Sequence, residues 1–268
     1  MSGMVLKLRE EPPQRCDLSG LTPDRLAEPS QRVEQLEIQT TRRRLCVGDI
    51  FDVKTGNPSD IRIEGGSERF DNVGLAMSRG RIGVTGDVGQ QAGRSMRGGE
   101  IVVGGSAGRL AGSGMSGGRL EVVGDADDLV GAPLPGEPRG MRGGVIRVKG
   151  KVGARAGDRM RRGLIVVSGN AGDHLASRMI GGTVVCFGSA GRFPSYLMQR
   201  GTVIVAGGVE SLAPTLVDTG VHELVAMRLI ARWLIEEGVE GGSLPASRLR
   251  RLVGDTAVLG KGEIFLPE

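Results

Sequence analysis

Three short stretches carry residue types that could do chemistry. Gly112–Gly117 reads GSGMSG, a match to G-x-G-x-x-G, whose glycines would let backbone approach a dinucleotide pyrophosphate between a strand and a helix. Gly104–Gly108 (GGSAG) and Gly114–Gly118 (GMSGG) match G-x-S-x-G, the sharp turn that exposes a serine nucleophile in many hydrolases. The imidazoles available to such a serine are His174 and His222. Neither stands at metal-ligand spacing from a cysteine or a carboxylate. Cys16, Cys46 and Cys186 are odd in number and outside any C-x-x-C, so they define neither a disulfide framework nor a cluster site. The acidic pairs Asp127/Asp128 and Glu236/Glu237 read as solvated loop and helix-end charges.

The elements that would have to position these residues give them a plainer meaning. Methionines fall at Met77, Met96, Met115, Met141, Met160, Met179 and Met198, every 19 residues except for one interval of 26. Each opens a unit close to M-x-x-G-x-(I/L/V)-x-(V/C)-x-G. Five residues after each Met stand Ile82, Ile101, Leu120, Ile146, Ile165, Val184 and Val203. Seven after stand Val84, Val103, Val122, Val148, Val167, Cys186 and Val205. Apolar residues alternating along a β-branched run predict a strand with one face buried. A single 19-residue coil cannot bury that face alone, whereas coils stacked about 4.8 Å apart can. The reading is an all-β chain: a parallel β-helix (solenoid) of Gly-rich coils, with the methionines as an internal stack of adaptable side chains. In this register Ser106 is equivalent to Asp87, Lys151, Asn170 and Ser189. That column is a polar turn, and the G-x-S-x-G and G-x-G-x-x-G matches are by-products of a repeat rich in glycine. No residue is assigned a catalytic or metal-binding role, and no cofactor-binding residue is identified.

The pattern divides the chain into an N-terminal cap region at 1–45, the repeats at 46–208 and a C-terminal helical extension at 209–268. Val5–Leu8 predicts a strand, DLSGLTPDRLA a turn with a short helix, and Ile61 and Ile63 the inward residues of a degenerate first coil. The long interval before Met141 holds GDADDLVGAPLPGEPRG, whose prolines and glycines predict a loop leaving the shaft. VHELVAMRLIARWLIEEG predicts a helix from about Val221 to Glu237 with an apolar stripe of Leu224, Met227, Ile230 and Leu234, widened by Val225, Leu229 and Trp233. The outward row six after each Met turns apolar late, at Val166, Val185 and Ile204. The helix is expected to pack there, or that face, with Trp233, to meet another subunit. Arg147, in the same row, is expected to be solvated.

Between Arg147 and Gly163 lie Arg147, Lys149, Lys151, Arg155, Arg159, Arg161 and Arg162 against a single Asp158. Stacking sets Arg142 one coil from Arg161 and Arg159 one coil from Arg178. Like charges aligned in this way repel, which points to an anionic neighbour. Arg142, Arg155, Arg159, Arg161 and Arg162 are the expected contacts to a polyanion or an acidic partner. A solvated, salt-bridged face is the alternative.

Composition narrows the function classes. The chain has 268 residues, 47 of them glycine, a net charge of +4 and only 3% aromatic residues. Scarce rings argue against single-stranded nucleic acid, which stacks on them, and against a polysaccharide-active β-helix with aromatic sugar platforms. No apolar run reaches the roughly 18 residues of a spanning helix, and MSGMVLKLREEPP has no signal-peptide core. The scattered thiols suit a reducing compartment, so a cytoplasmic location without membrane contact is expected.

The 19-residue GGxIxVxG coils, the opening segment VGDIFDV (Val47–Val53) and the tail LVDTGVHELVAMRLIARWLI with GKGEIFLP together resemble the family of the formylmethanofuran dehydrogenase C subunit. The likeness runs from about Arg44 to the end. It is nearest to the form found in bacterial formyltransferase/hydrolase complexes. The coil alone is also similar to the C-terminal domain of the glutamate synthase large subunit; the opening segment and tail separate the two. The resemblance implies a non-catalytic, cytoplasmic subunit that binds no cofactor itself and works with the other subunits of its complex. Those subunits would transfer a formyl group between tetrahydromethanopterin and a methanofuran-type carrier and release formate. The alternatives are a subunit of a molybdenum or tungsten formylmethanofuran dehydrogenase and a detached glutamate-synthase-type domain.

Overall fold

The computed structural model describes residues 2–27, 32–236 and 248–268. Their regular structure is mostly strand, organised on one large mixed sheet. Its central strands follow in chain order: Asn57–Glu64, Arg81–Val84, Glu100–Val103, Arg119–Val122, Arg142–Val148, Arg162–Val167, Thr183–Cys186 and Arg200–Val205. Each is parallel to the one before and in the register of the repeat. Ile61 sits opposite Ile82, then Ile101, Leu120, Ile146, Ile165, Val184 and Val203. A second parallel ladder, made of single bridges, joins Ser67, Val88, Ala107, Ala126, Val152, Ala171 and Ala190 in the same order. The two inward rows are fully or almost fully buried in one continuous core, as are Ile61 and Ile63.

All seven repeat methionines are completely buried in that core, and the first glycine of the unit explains why. Six of the seven Met methyls lie against the glycine three residues after the Met of the following repeat, and that of Met198 lies against Gly262 in the C-terminal strand. A Cβ at Gly118 would come 2.7 Å from the Met96 methyl, and one at Gly163 2.8 Å from that of Met141. The glycine is therefore the seat of the preceding coil's methionine, and the spacing M-x-x-G encodes a contact between coils.

The corner preceding each Met except Met141 is an arc in which alternate residues are left-handed. The sets are Asn72, Gly74 and Ala76; Gln91, Gly93 and Ser95; Leu110, Gly112 and Gly114; Arg155, Gly157 and Arg159; His174, Ala176 and Arg178; Phe193, Ser195 and Leu197. Polar side chains at other turns cap the next coil. Asp87 Oδ1 accepts from Ser106 N (2.7 Å), Ser106 Oγ from Asp125 N (3.2 Å), Asp125 Oδ1 from Lys151 N (2.9 Å) and Asn170 Oδ1 from Ser189 N (3.0 Å). These bonds satisfy amides that the turn would otherwise leave unpaired.

At the N-terminal end, Gly3–Leu8 lies inside the large sheet, parallel to Asn57–Glu64 and antiparallel to Phe51–Lys54. Its Met4 and Leu6 belong to the same core as the repeats. A helix spans Pro23–Leu26, capped by Thr22 with proline in its first turn. Cys16–Asp17 bridges Phe70–Asp71 and Glu37–Thr40 in a small second sheet.

The C-terminal segment differs from the helical extension expected of it. Lys261–Leu266 continues the parallel ladder beside Arg200–Val205, and Arg248–Gly254 and Val217–Glu223 follow antiparallel. The helix spans Val225–Glu236. Val221, His222 and Glu223 are strand, because their backbones pair with Arg250, Leu249 and Arg248; partners distant in sequence override a local helical period. The expected helix end at Glu237 and Gly238 lies outside the described residues. Met227 and Leu234 are buried against Leu164, Val166, Val185, Ile204, Leu249 and Phe265.

Arg147 stands in the outward row between Glu121 and Val166. Contrary to expectation it is only 8% exposed; pairing inside the sheet, between two neighbouring strands, leaves little of it in water.

Candidate functional site

The serines of the G-x-S-x-G matches are structural. Ser106 both receives and makes the coil-to-coil caps described above, and Ser116 Oγ donates to Met96 O at 3.4 Å. The cavity beside Ser106, about 320 Å³, is lined by Asp125, Asp127 and Lys151. Asp125 and Lys151 there form an ion pair at 3.7 Å. His222 Nε2 bonds to Thr219 O at 2.9 Å, and His174 lies against the rings of Phe193 and Tyr196. Burial pushes the Cys16 and Cys186 thiols up to about 11, so neither is a thiolate near neutral pH. Among the described residues no group of three His, Cys, Asp or Glu side chains is placed to hold a metal ion.

The five arginines expected to face an anion fall into three places. Arg142, Arg161 and Arg162 come together: Arg142 pairs across the sheet with Arg162, and Arg161 N donates to Met141 O. Arg161 and Arg162 line a cleft of about 450 Å³ with Ile180, Gly181, Gln199, Arg200 and Leu259. None of Arg142, Arg161, Arg162 and Arg200 makes an ion pair with a described residue. Arg200 escaped the sequence reading, although the register carried the signal: it stands two residues after Met198, as Arg162 does after Met160.

Arg159 is tied to the insertion. Its Nη1 donates to Glu137 O at 3.3 Å, while Glu137 Oε1 accepts from Arg94 Nη2 at 3.1 Å and Oε2 from Leu134 N at 3.2 Å. The loop returns to register where Met141 N donates to Gly131 O at 2.7 Å. Arg178, expected to extend the ladder from Arg159, forks onto Asp158, which is 3% exposed and also accepts from Ser177 Oγ at 2.7 Å. Arg155 lies on the left-handed arc, one coil before His174.

Val166, Val185 and Ile204 are completely buried beneath the C-terminal helix. Trp233 is not part of that cluster and is 36% exposed, alongside Val225, Leu229 and Ile235 on the helix's outer side. The helix is therefore apolar on two faces, of which one is covered by described residues.

Fold and surface together define a mostly β repeat protein that offers cationic and apolar outer surfaces. Its polar turn residues are engaged in joining one coil to the next. No protein-family model matches the chain. It is 53% identical over 264 residues to the C subunit of the formyltransferase/hydrolase complex Fhc of Methylorubrum extorquens, an alignment covering 98% of this chain and 99% of the relative. It superposes with a TM-score of 0.93 and 44% sequence identity on a chain of the crystal structure of the formyltransferase/hydrolase complex (FhcABCD) from Methylorubrum extorquens in complex with methylofuran. That superposition covers 98% of this chain and 99% of the other. The chain belongs to the family of formyltransferase/hydrolase complex C subunits.

Proposed function

We propose that this chain is a non-catalytic structural subunit of a cytoplasmic formyltransferase/hydrolase complex. Its partners are the other subunits of that complex. They pass a formyl group between tetrahydromethanopterin and a methanofuran-type carrier and hydrolyse the formyl product to formate. The observation that carries this reading is the 53% identity across nearly the whole of both chains. The same end-to-end match sets aside the dehydrogenase and glutamate-synthase alternatives. The three segments 1–45, 46–208 and 209–268 act as cap, shaft and tail. The shaft is a parallel β-helix; two parallel ladders advancing in one shared register support that winding. No helix of the described residues is long and apolar enough to cross a membrane.

The test is reconstitution. Co-expressed with the other subunits, the chain is expected to co-purify with them and to be needed for a stable assembly. Alone, and freed of adventitious metal, it is expected to show no formyltransferase, hydrolase or dehydrogenase turnover. Activity of the isolated chain would overturn the non-catalytic reading.

Arg142, Arg161 and Arg162, with Arg200, provide an anion-facing surface of this subunit. Guanidinium forks suit carboxylates, whether on an acidic sister subunit or on a glutamate chain borne by the carrier. The triple change of Arg161, Arg162 and Arg200 to Glu is expected to leave the melting temperature within a few degrees of the parent. It should also weaken assembly or carrier-dependent turnover, most visibly at low salt, where screening over roughly 10 Å at 0.1 M is relaxed. A triple variant that assembles and turns over like the parent at low salt makes this a solvated face.

A further inference from the structure

The seven aromatic residues of this chain are not spread evenly. Phe51, Phe70 and Phe265 are buried, Phe187 is partly buried, and the exposed rings are Phe193, Tyr196 and Trp233. Two of these three meet at one place. Phe193 lies 6.0 Å from His174, and Tyr196 lies edge-on to the same imidazole at 5.9 Å. Phe193 is 36% and Tyr196 43% exposed. Half-exposed rings held by their neighbours present large contact area while losing little freedom on binding.

The backbone under this cluster is unusual. His174 and Phe193 occupy the same column of the left-handed arc, with φ of 61° and 54°, and Arg155 precedes them at 61°. Earlier coils fill the column with Asn72, Gln91, Leu110 and Leu129. Left-handed backbone is congenial to Asn and strained for a bulky ring. A phenylalanine here is a poor choice for the turn, and its ring is 36% exposed. The charges sharpen the picture. Asp173 is neutralised by a fork from Arg192, and Asp158 by one from Arg178. Arg155, exposed at the edge of the column, makes no ion pair with a described residue. The surface therefore offers rings with an uncompensated positive charge, that of Arg155, in the same column.

We propose that Arg155, His174, Phe193 and Tyr196 form a docking site for a segment of a sister subunit that presents a carboxylate beside an apolar side chain. The carboxylate meets Arg155 and the apolar group lies on the rings, the combination of aromatic and arginine anchors that concentrates binding energy at protein interfaces. The site is separate from the Arg161–Arg162 cleft, and it rests on the reading of this chain as a subunit of a complex.

The experiment compares the full chain with the variant Arg155→Gln/Phe193→Asn/Tyr196→Ser, each co-expressed with the other subunits of the complex. Asn at 193 is the residue that this column uses at 72, and Ser at 196 repeats Ser177 one coil earlier, so the variant is expected to keep its circular dichroism spectrum and melting temperature. Should it fail to fold, Phe193→Asn alone serves as the test. Capture of sister subunits is expected to fall at least tenfold, and Arg155→Gln alone is expected to flatten its salt dependence. A folded variant that captures them as the parent does overturns the docking site and leaves the subunit reading intact. A parent chain that captures no sister subunit overturns both. Loss of self-association in place of heteromeric capture would make a second copy the occupant and overturn the proposal.

Discussion

Val148→Asp is expected to destabilise the protein by about 4 kcal/mol or more, the range in which a single change exceeds ordinary core damage. Val148 is completely buried and lies between Val122 and Val167 in the inward row. A carboxylate there gains no opposite charge and loses its hydration, so it either remains charged at high cost or takes up a proton. The disturbance also propagates, because Val148 shares its inward row with the strands on either side. Arg142→Asp, on the exposed start of the same strand, is the control and should shift stability by less than about 1 kcal/mol. Arg147, one residue away and in the outward row, would be a misleading control because it is buried. Urea unfolding of the two variants decides the matter, and similar midpoints would show that the inward and outward rows are misassigned.

The second large effect is expected at a methionine seat. Gly163→Val should cost about 3 kcal/mol or more. Two causes of large single-residue losses act together there: overpacking against fixed backbone and a φ forbidden to branched side chains. The φ is 106°, and an added Cβ would lie 2.7 Å from Gly144 O as well as 2.8 Å from the Met141 methyl. Gly83 provides the contrast. It has no neighbour within 4 Å of an added Cβ and an ordinary φ, so Gly83→Ala should be neutral or stabilising by about 0.5–1 kcal/mol. Equal losses at the two glycines would mean that M-x-x-G does not encode the contact between coils.

Much of the core was legible because periodicity reports burial directly. A row such as Ile82, Ile101, Leu120 and Ile146 recurs at the coil length, and the parallel ladder aligns that same row. The C-terminal tail was legible in part. The stripe of Met227 and Leu234 marked a face that is indeed covered. Val221–Glu223 misled because a helical period and a strand partner at Leu249 compete, and only the second depends on residues far along the chain.

The left-handed arc was not legible at all. Propensity places glycine or asparagine at positive φ, whereas this chain also places Arg155, His174 and Phe193 there. The candidate surfaces suffered from a similar limit. Charge density along the sequence grouped seven basic residues, but it could not show that Arg159 reaches the insertion while Arg178 is neutralised by Asp158. Nor did it reveal that Arg200, nearly forty residues downstream, completes the cleft.

A parallel ladder has no intrinsic length: whatever adds one strand to it exposes an equivalent edge for the next, the geometry by which fibres grow. Here both ends of the ladder reverse direction. Phe51–Lys54 runs antiparallel at one margin, and Arg248–Gly254 with Val217–Glu223 at the other. These outermost strands carry Asp52, Lys54, Asp218 and Glu223, charges that disfavour a further strand on the rim. These outer strands thus act as stops, and they hold a potentially endless ladder to a fixed number of strands. Its contacts with other molecules are then left to its sides.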